Sequence, residues 1–384
     1  MAKFIEGQYR RATGYLRQQL SQRNIQRLSA SGEIDDEFWI LLEYYSEVEN
    51  VGLNYLKQKG IQNSATRRKV FKHFQAHVRQ AKSYYYSAKV LPPRSSGLLY
   101  YYCFLNLAKS VLVIKEPNIA GKEEYHGLNY KVDNNSPFRQ QTLNIKPDGI
   151  FPKLYDWYFG QTIKLKQVNI SSLLSYCTDI SYQCKIAGIH DTKILYSYYA
   201  HCVDKNKKLG WALVGIPQSS VLLKYPKSVN LFLKNYEKIE LPQLDGREMF
   251  KLDAFEQSSF VFFQSIKTTQ WISDNIPPAL EVRDEIMKAL KNVIQVNYFA
   301  NDYDFLISLP YKTNRQTMMD ETIAIYLIMF YLSNLVRYKP QYLEGLLSKK
   351  EAWLIDSFVR SCPITFLRSM ISRIIGTDYI IEKR

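Results

Sequence analysis

The residues able to move a proton or hold an anion are unevenly spread along this chain. His73 and His77 stand four apart, which puts both imidazoles on one face of a helix and could serve a metal ion. No Cys, Asp or Glu close by in sequence offers a third ligand, so no metal and no cofactor is expected. Asn106 and Lys109 interrupt an apolar run, and His126 follows in a polar loop. Arg68, Lys72, Arg79 and Lys82 share one helical face, where each cation can meet a phosphate and release condensed counterions. A merely solvated face would usually interleave glutamates at i,i+4, and here there are none. Asp302 and Asp304 could pair but suit a turn or a strand edge better, and His190 and His201 flank a strand. No P-loop, GxGxxG, HExxH or GxSxG motif occurs, and no nucleophile–base–orienter set can be assembled.

The elements that must position these groups begin with Val51 to Lys115, a stretch carrying many Lys and Arg but no Asp or Glu. Within it, Val70, Phe71, Phe74, Val78, Ala81, Tyr85 and Ala88 predict a helix over about 66–89 with one buried stripe. A second helix, over about 97–115, follows the Pro92-Pro93 break, with Ser95 or Ser96 as its cap. It is apolar nearly all round and too interrupted for a membrane span. Residues 1–30 read as a peripheral helix, and Glu33 to about Lys57 as another. The middle is strand-rich. Leu195–Val203 and Leu209–Ile216 predict a hairpin across Asp204-Lys205-Asn206-Lys207. Val221–Lys224, Lys238–Leu241, Glu248–Leu252 and Ser259–Ile266 are further strand candidates. After Pro277-Pro278 the chain returns to helix, at about 317–338, 351–360 and 366–375. Asn334 and Arg337 close the first of these. The fold class expected is therefore α+β, mainly helical. It has a helical domain over 1–137, a β-rich middle over 138–277 and a helical region over 278–384.

Composition narrows the function classes. The 384 residues carry a formal net charge of +15, which favours an anionic partner. Thirty tyrosines could supply stacking surfaces, although most must be core and rim residues. Five scattered cysteines without a CxxC argue against a disulfide framework and a zinc ribbon, and fit a reducing cytoplasm. No secretory signal precedes the first helix, and no membrane association is expected.

Several short motifs carry a family resemblance. Arg94-Ser95-Ser96, the run Leu99 to Lys109 and His126-Gly127-Leu128 resemble the YaaC-like protein family of bacteria. So do Asp148 to Leu154, Leu173 to Tyr176, Asp179 to Tyr182 and Leu335 to Pro340. That family implies no settled activity. The Tyr-rich helix, the Ala108-Lys109 pair and His126 are also similar to the middle of HEPN-type helical domains of defence ribonucleases. Their Arg-x4-6-His motif has a match in Arg67 or Arg68 with His73, although it lies before the Tyr-rich helix rather than after it. That similarity implies a metal-independent ribonuclease. His73 or His126 would act as general acid–base, and Arg67, Arg68 or Lys109 would stabilise phosphorane charge.

Three readings remain open from sequence. One is a cytoplasmic protein that engages nucleic acid, RNA ahead of DNA, through Arg68, Lys72, Arg79, Lys82 and Arg94. The second is an interaction protein docking an acidic partner subunit. The third is a small-molecule site at Asn106, Lys109, Asn334 and Arg337. Because the Tyr-rich helix and the helix ending at Arg337 are both largely apolar, they are expected to pack together. Asn106, Lys109, His126 and Arg337 would then meet.

Overall fold

The computed structural model describes residues 5–16, 24–30, 32–120, 125–190, 192–218, 236–250, 253–270, 294–296, 304–309, 311, 317–348 and 351–383. It is mainly helical, with helices before and after a central antiparallel sheet. The compact units do not follow chain order. Residues 27–191 and 319–377 form a helical unit, while 1–26 and 192–318 form a sheet unit. The helices on either side of the β-rich middle thus share one unit, and the N-terminal segment belongs with the sheet.

The helical unit opens with α1 (Ile34–Glu47) and α2 (Glu49–Gln58), a helix expected to be continuous but broken at Val48. Next comes α3 (Ser64–Lys89), whose N-cap Asn63 accepts a hydrogen bond from the Thr66 N–H at 2.9 Å. Its buried residues are the stripe read from sequence, Val70 to Ala88. The fourth helix, α4 (Pro93–Lys115), starts earlier than expected. Pro93 takes a first-turn position where a missing N–H costs nothing, so the cap falls at Pro92 and not at a serine. Then follow α5 (Ile150–Phe159), α6 (Ile170–Leu174) and α7 (Ser181–Ile186), with a small antiparallel sheet of Leu128–Lys131, Thr142–Ile145 and Gln167–Asn169.

Two short helices, α8 (Gln243–Phe250) and α9 (Ala254–Ser258), belong to the sheet unit. The helical unit resumes with α10 (Glu321–Tyr338), α11 (Pro340–Leu347) and α12 (Ala352–Ile375). Pro363 lies inside α12, which runs through the break expected near residue 363. Helix α4 is the core of this unit. By length and apolarity it could cross a membrane, but 72% of that apolar window is buried inside the structure. Phe104 stacks on Phe366 of α12 at 3.8 Å between ring centroids. Tyr101 sits against Tyr326 and Phe330 of α10 at 5.8 and 5.4 Å. Burial on most sides explains why the helix shows only a narrow polar edge in sequence, at Asn106 and Lys109.

The sheet unit is built on the expected hairpin, Ile194–Asp204 paired antiparallel with Leu209–Pro217. The strands run in the order Ile294–Val296, Asp304–Ser308, Ile194–Asp204, Leu209–Pro217, Phe260–Ser265, Tyr236–Ile239. Cys202, Trp211, Leu213, Met249 and Phe262 are among its core residues, with Tyr9 and Ala12 packed on them. Three expectations fail here. The N-terminal segment is not helical in its described parts: Gly14–Leu16 and Asn24–Ala30 are strands, the first paired with His201–Val203. Arg10 is held there, donating to the Ser265 carbonyl at 2.6 Å and to Glu237 at 2.9 Å. The strand expected over Glu248–Leu252 falls on α8, entered after Pro242 with Asp245 in its first turn. Asp304 begins an internal strand and not a turn. The Val221–Lys224 strand, Pro277-Pro278, Asp302 and Lys122 to Glu124 lie outside the described residues.

Candidate functional site

The loop bearing His126 is clamped by backbone. Gly127 and Gly149 both have positive φ, 71° and 118°. They pack so closely that a Cβ on Gly149 would lie 2.5 Å from the Gly127 Cα. The Phe151 N–H donates to the His126 carbonyl, and Ile150 to that of Tyr125, each at 3.0 Å. The start of α5 therefore fixes His126 from below. On its other side the imidazole meets Tyr101 and Phe330, with ring centroids 5.5 and 5.9 Å away. Nδ1 lies 2.7 Å from the Tyr101 hydroxyl. The second ring nitrogen has no partner among the described residues.

Helices α3 and α4 pack antiparallel and supply the rest. Tyr84 stacks on Tyr102 at 5.3 Å, and further along both helices His77 Nδ1 lies 3.1 Å from Asn106 Oδ1. Asn106 is oriented by its own helix, donating to the Tyr102 carbonyl at 2.9 Å. Arg337, at the end of α10, brings its guanidinium 5.7 Å from the Tyr102 ring centroid and 4.9 Å from that of Tyr338. The result is a polar seam along α3, α4, α10 and the His126 loop.

Its electrostatics are one-sided. Burial lowers the His126 pKa below the ordinary imidazole value, and the charges of Arg337 and Lys109 lower it further. Burial also lowers His77; the Asn106 contact opposes this, and Lys109 and His73 reinforce it. Lys109 thus bears on both histidines and Arg337 on one of them. No described carboxylate pairs with Lys109 or Arg337. Two cations and two imidazoles held neutral around neutral pH make a place where an anion would be favoured.

Asn106 contacts His77, Arg337 reaches the Tyr102 ring, and the charges of Arg337 and Lys109 act on His126, with His73 one turn from His77. Asn334 sits on α10 but turns its amide onto its own helix, donating to the Phe330 carbonyl at 2.8 Å. Arg67 is tied down elsewhere, donating to the carbonyls of Ile61 and Gln62 at 3.1 and 3.2 Å. Arg94 pairs with Glu344 at 2.9 Å.

The expected basic row is interrupted. Arg79 pairs with Glu47 at 2.6 Å and Lys82 with Glu43 at 2.5 Å, both acids on α1, while Lys89 pairs with Asp35. Arg68 and Lys72 carry no such partner among the described residues. A continuous cationic face over Arg68, Lys72, Arg79 and Lys82 is therefore corrected, because α1 neutralises half of it.

Lys69, which sequence reasoning missed, lies one face round, where it repeats at i,i+4 with His73 and His77 and leads into the seam. Their spacing was readable. What was not readable was which face of α3 the acids of α1 would cover. Tyr101 and Tyr338 gave no signal among so many tyrosines.

A model of the family described as YaaC-like Protein matches residues 44–374, a span that holds every residue of the seam. None of the curated proteins compared matches the chain, and none of the solved structures does.

Proposed function

The chain belongs to the YaaC-like protein family, and from that premise we propose that it engages a single nucleic-acid strand, RNA first, along the seam. The carrying observation is that Lys109 and Arg337 flank a half-buried, neutral His126 with no described carboxylate paired to either. Arg337 offers a fork for a phosphate, Lys109 a point charge, and the open nitrogen of His126 a hydrogen bond. Lys69, His73 and His77 continue the site along α3, at about 6 Å per i,i+4 step. That is longer than one phosphate needs and suits several along a strand. Tyr338, 55% exposed beside Arg337, offers a face on which a base can stack. The similarity to HEPN-type domains points to RNA over DNA.

Binding of a fluorescently labelled single-stranded RNA, followed by anisotropy across a salt series, tests this. Lys109→Met and Arg337→Ala should each weaken binding about tenfold and flatten the salt slope by about one ion. Arg79→Glu with Lys82→Glu should change little, since α1 already neutralises both. If that charge reversal weakens binding as much as the seam variants do, the seam is the wrong surface. Cleavage of the same strand in a chelator, lost in His126→Ala, would add a catalytic role to the binding one.

A further inference from the structure

The contact between His77 and Asn106 fixes a proton as well as a position. Asn106 is buried, and its Nδ2 donates to the Tyr102 carbonyl at 2.9 Å. That carbonyl can only accept, so the reverse orientation of the amide would set two oxygens against each other. Oδ1 therefore faces His77 Nδ1, 3.1 Å away. An amide oxygen also only accepts, so Nδ1 must carry the ring proton. Burial, the largest effect on the ring, lowers its pKa and favours the neutral form. A neutral imidazole with its proton on Nδ1 presents a lone pair at Nε2. Half-buried His77 has no other hydrogen bond among the described residues.

Among cations, an uncharged acceptor has a separate use. Lys109 and Arg337 can only donate. Lys109, on α4, and His73, on the same helix as His77, are the charged and titratable groups acting on the ring, and both oppose its protonation. A bound phosphodiester has lone pairs but no proton, so it gives Nε2 nothing to accept. A ribose 2′-hydroxyl does carry a proton, recurs at every RNA nucleotide and is missing from DNA. Base edges donate too, but differently for each base.

We propose that His77, oriented by Asn106, accepts a hydrogen bond from a ribose 2′-hydroxyl and so makes the seam selective for RNA. This rests on the binding of a strand along the seam and adds the group that tells one kind of strand from the other. Asn106 is a positioning residue, acting through the tautomer it imposes on His77.

The test is anisotropy of the full chain with labelled strands of one sequence: RNA, DNA, and 2′-fluoro RNA, which keeps the ribose pucker but has no donor. Wild type should bind RNA about three- to tenfold more tightly than either of the others, the worth of one hydrogen bond. His77→Phe should bring RNA down to the level of 2′-fluoro RNA and leave the latter nearly unchanged. Lys109→Met should weaken all the strands alike. At acid pH the ring gains its second proton and loses the lone pair, so the preference for RNA should fade. Nitrogen NMR of the free protein should show the His77 proton on Nδ1, and Asn106→Leu should move it toward Nε2. Equal binding of RNA and 2′-fluoro RNA, a preference that survives His77→Phe, or a wild-type ring proton on Nε2 would each overturn the proposal. If no strand binds at all, the seam itself is not a nucleic-acid site, and this inference falls with it.

Discussion

At His126 and His77 the fold holds two imidazoles neutral by burying them beside cations. The sign of the consequence is fixed. Their folded pKa values lie below the unfolded one, so the unfolded chain binds more protons as pH falls through about 6.5. Stability from these two groups is present above that value and is lost as pH drops toward their folded pKa values. An anion in the seam acts the other way, because it favours the imidazolium. RNA binding should therefore take up protons and strengthen below about pH 6.5. Anisotropy titrations across that range check this, and His77→Gln with His126→Gln should flatten the profile. Affinity that stays level with pH in the wild type would remove both histidines from the site.

At the scale of elements, the site depends on the approach of Gly127 to Gly149. Gly149→Ala places a Cβ 2.5 Å from Gly127 at a φ of 118°. The backbone conformation alone should cost about 1–3 kcal/mol, and the displaced loop should carry His126 away from Tyr101. Urea unfolding and RNA binding, measured together, should both suffer. Full RNA affinity in Gly149→Ala would mean that the clamp does not position the site.

Packing of α4 against α10 was legible, since two helices apolar on nearly every side can only be buried together. The His126–Gly127 and Asp148–Gly149 motifs were visible as words, but their contact was not, because it joins segments a helix-length apart. The basic row was misread for the same reason. Its acid-free stretch says nothing about Asp35, Glu43 and Glu47, which α1 folds back upon it. The N-terminal segment had too few apolar positions to reveal its period, and pairing with the central hairpin decided it.

At the scale of the whole molecule, the sheet unit closes a core of its own around Cys202, Trp211, Leu213 and Phe262. The helical unit closes another around α4, and the chain leaves it near Asp191 and returns near Met319. The segments before and after this excursion touch inside the helical unit. Glu321 takes hydrogen bonds from the Thr178 N–H at 2.5 Å and from its hydroxyl at 2.8 Å. This contact also stores a proton. Burial, with Asp179 nearby, pushes the Glu321 carboxyl up to about 8. A raised folded value means that its contribution is full below the unfolded pKa of about 4.5 and lost as pH rises toward 8.

A chain of residues 32–190 joined to 319–376 by a Gly/Ser linker should therefore fold without the sheet unit, because Thr178 and Glu321, one before and one after the excision, are hydrogen-bonded within a unit that has its own core. It should show a single cooperative thermal transition, helical circular dichroism and RNA binding within about threefold of the full chain. The Glu321 contribution to its stability should fall as pH rises from 5 to 8, against the histidine contribution, and Glu321→Gln, which mimics the protonated carboxyl, should remove that component. A broad, non-cooperative melt would show that the helical unit needs the sheet unit to fold.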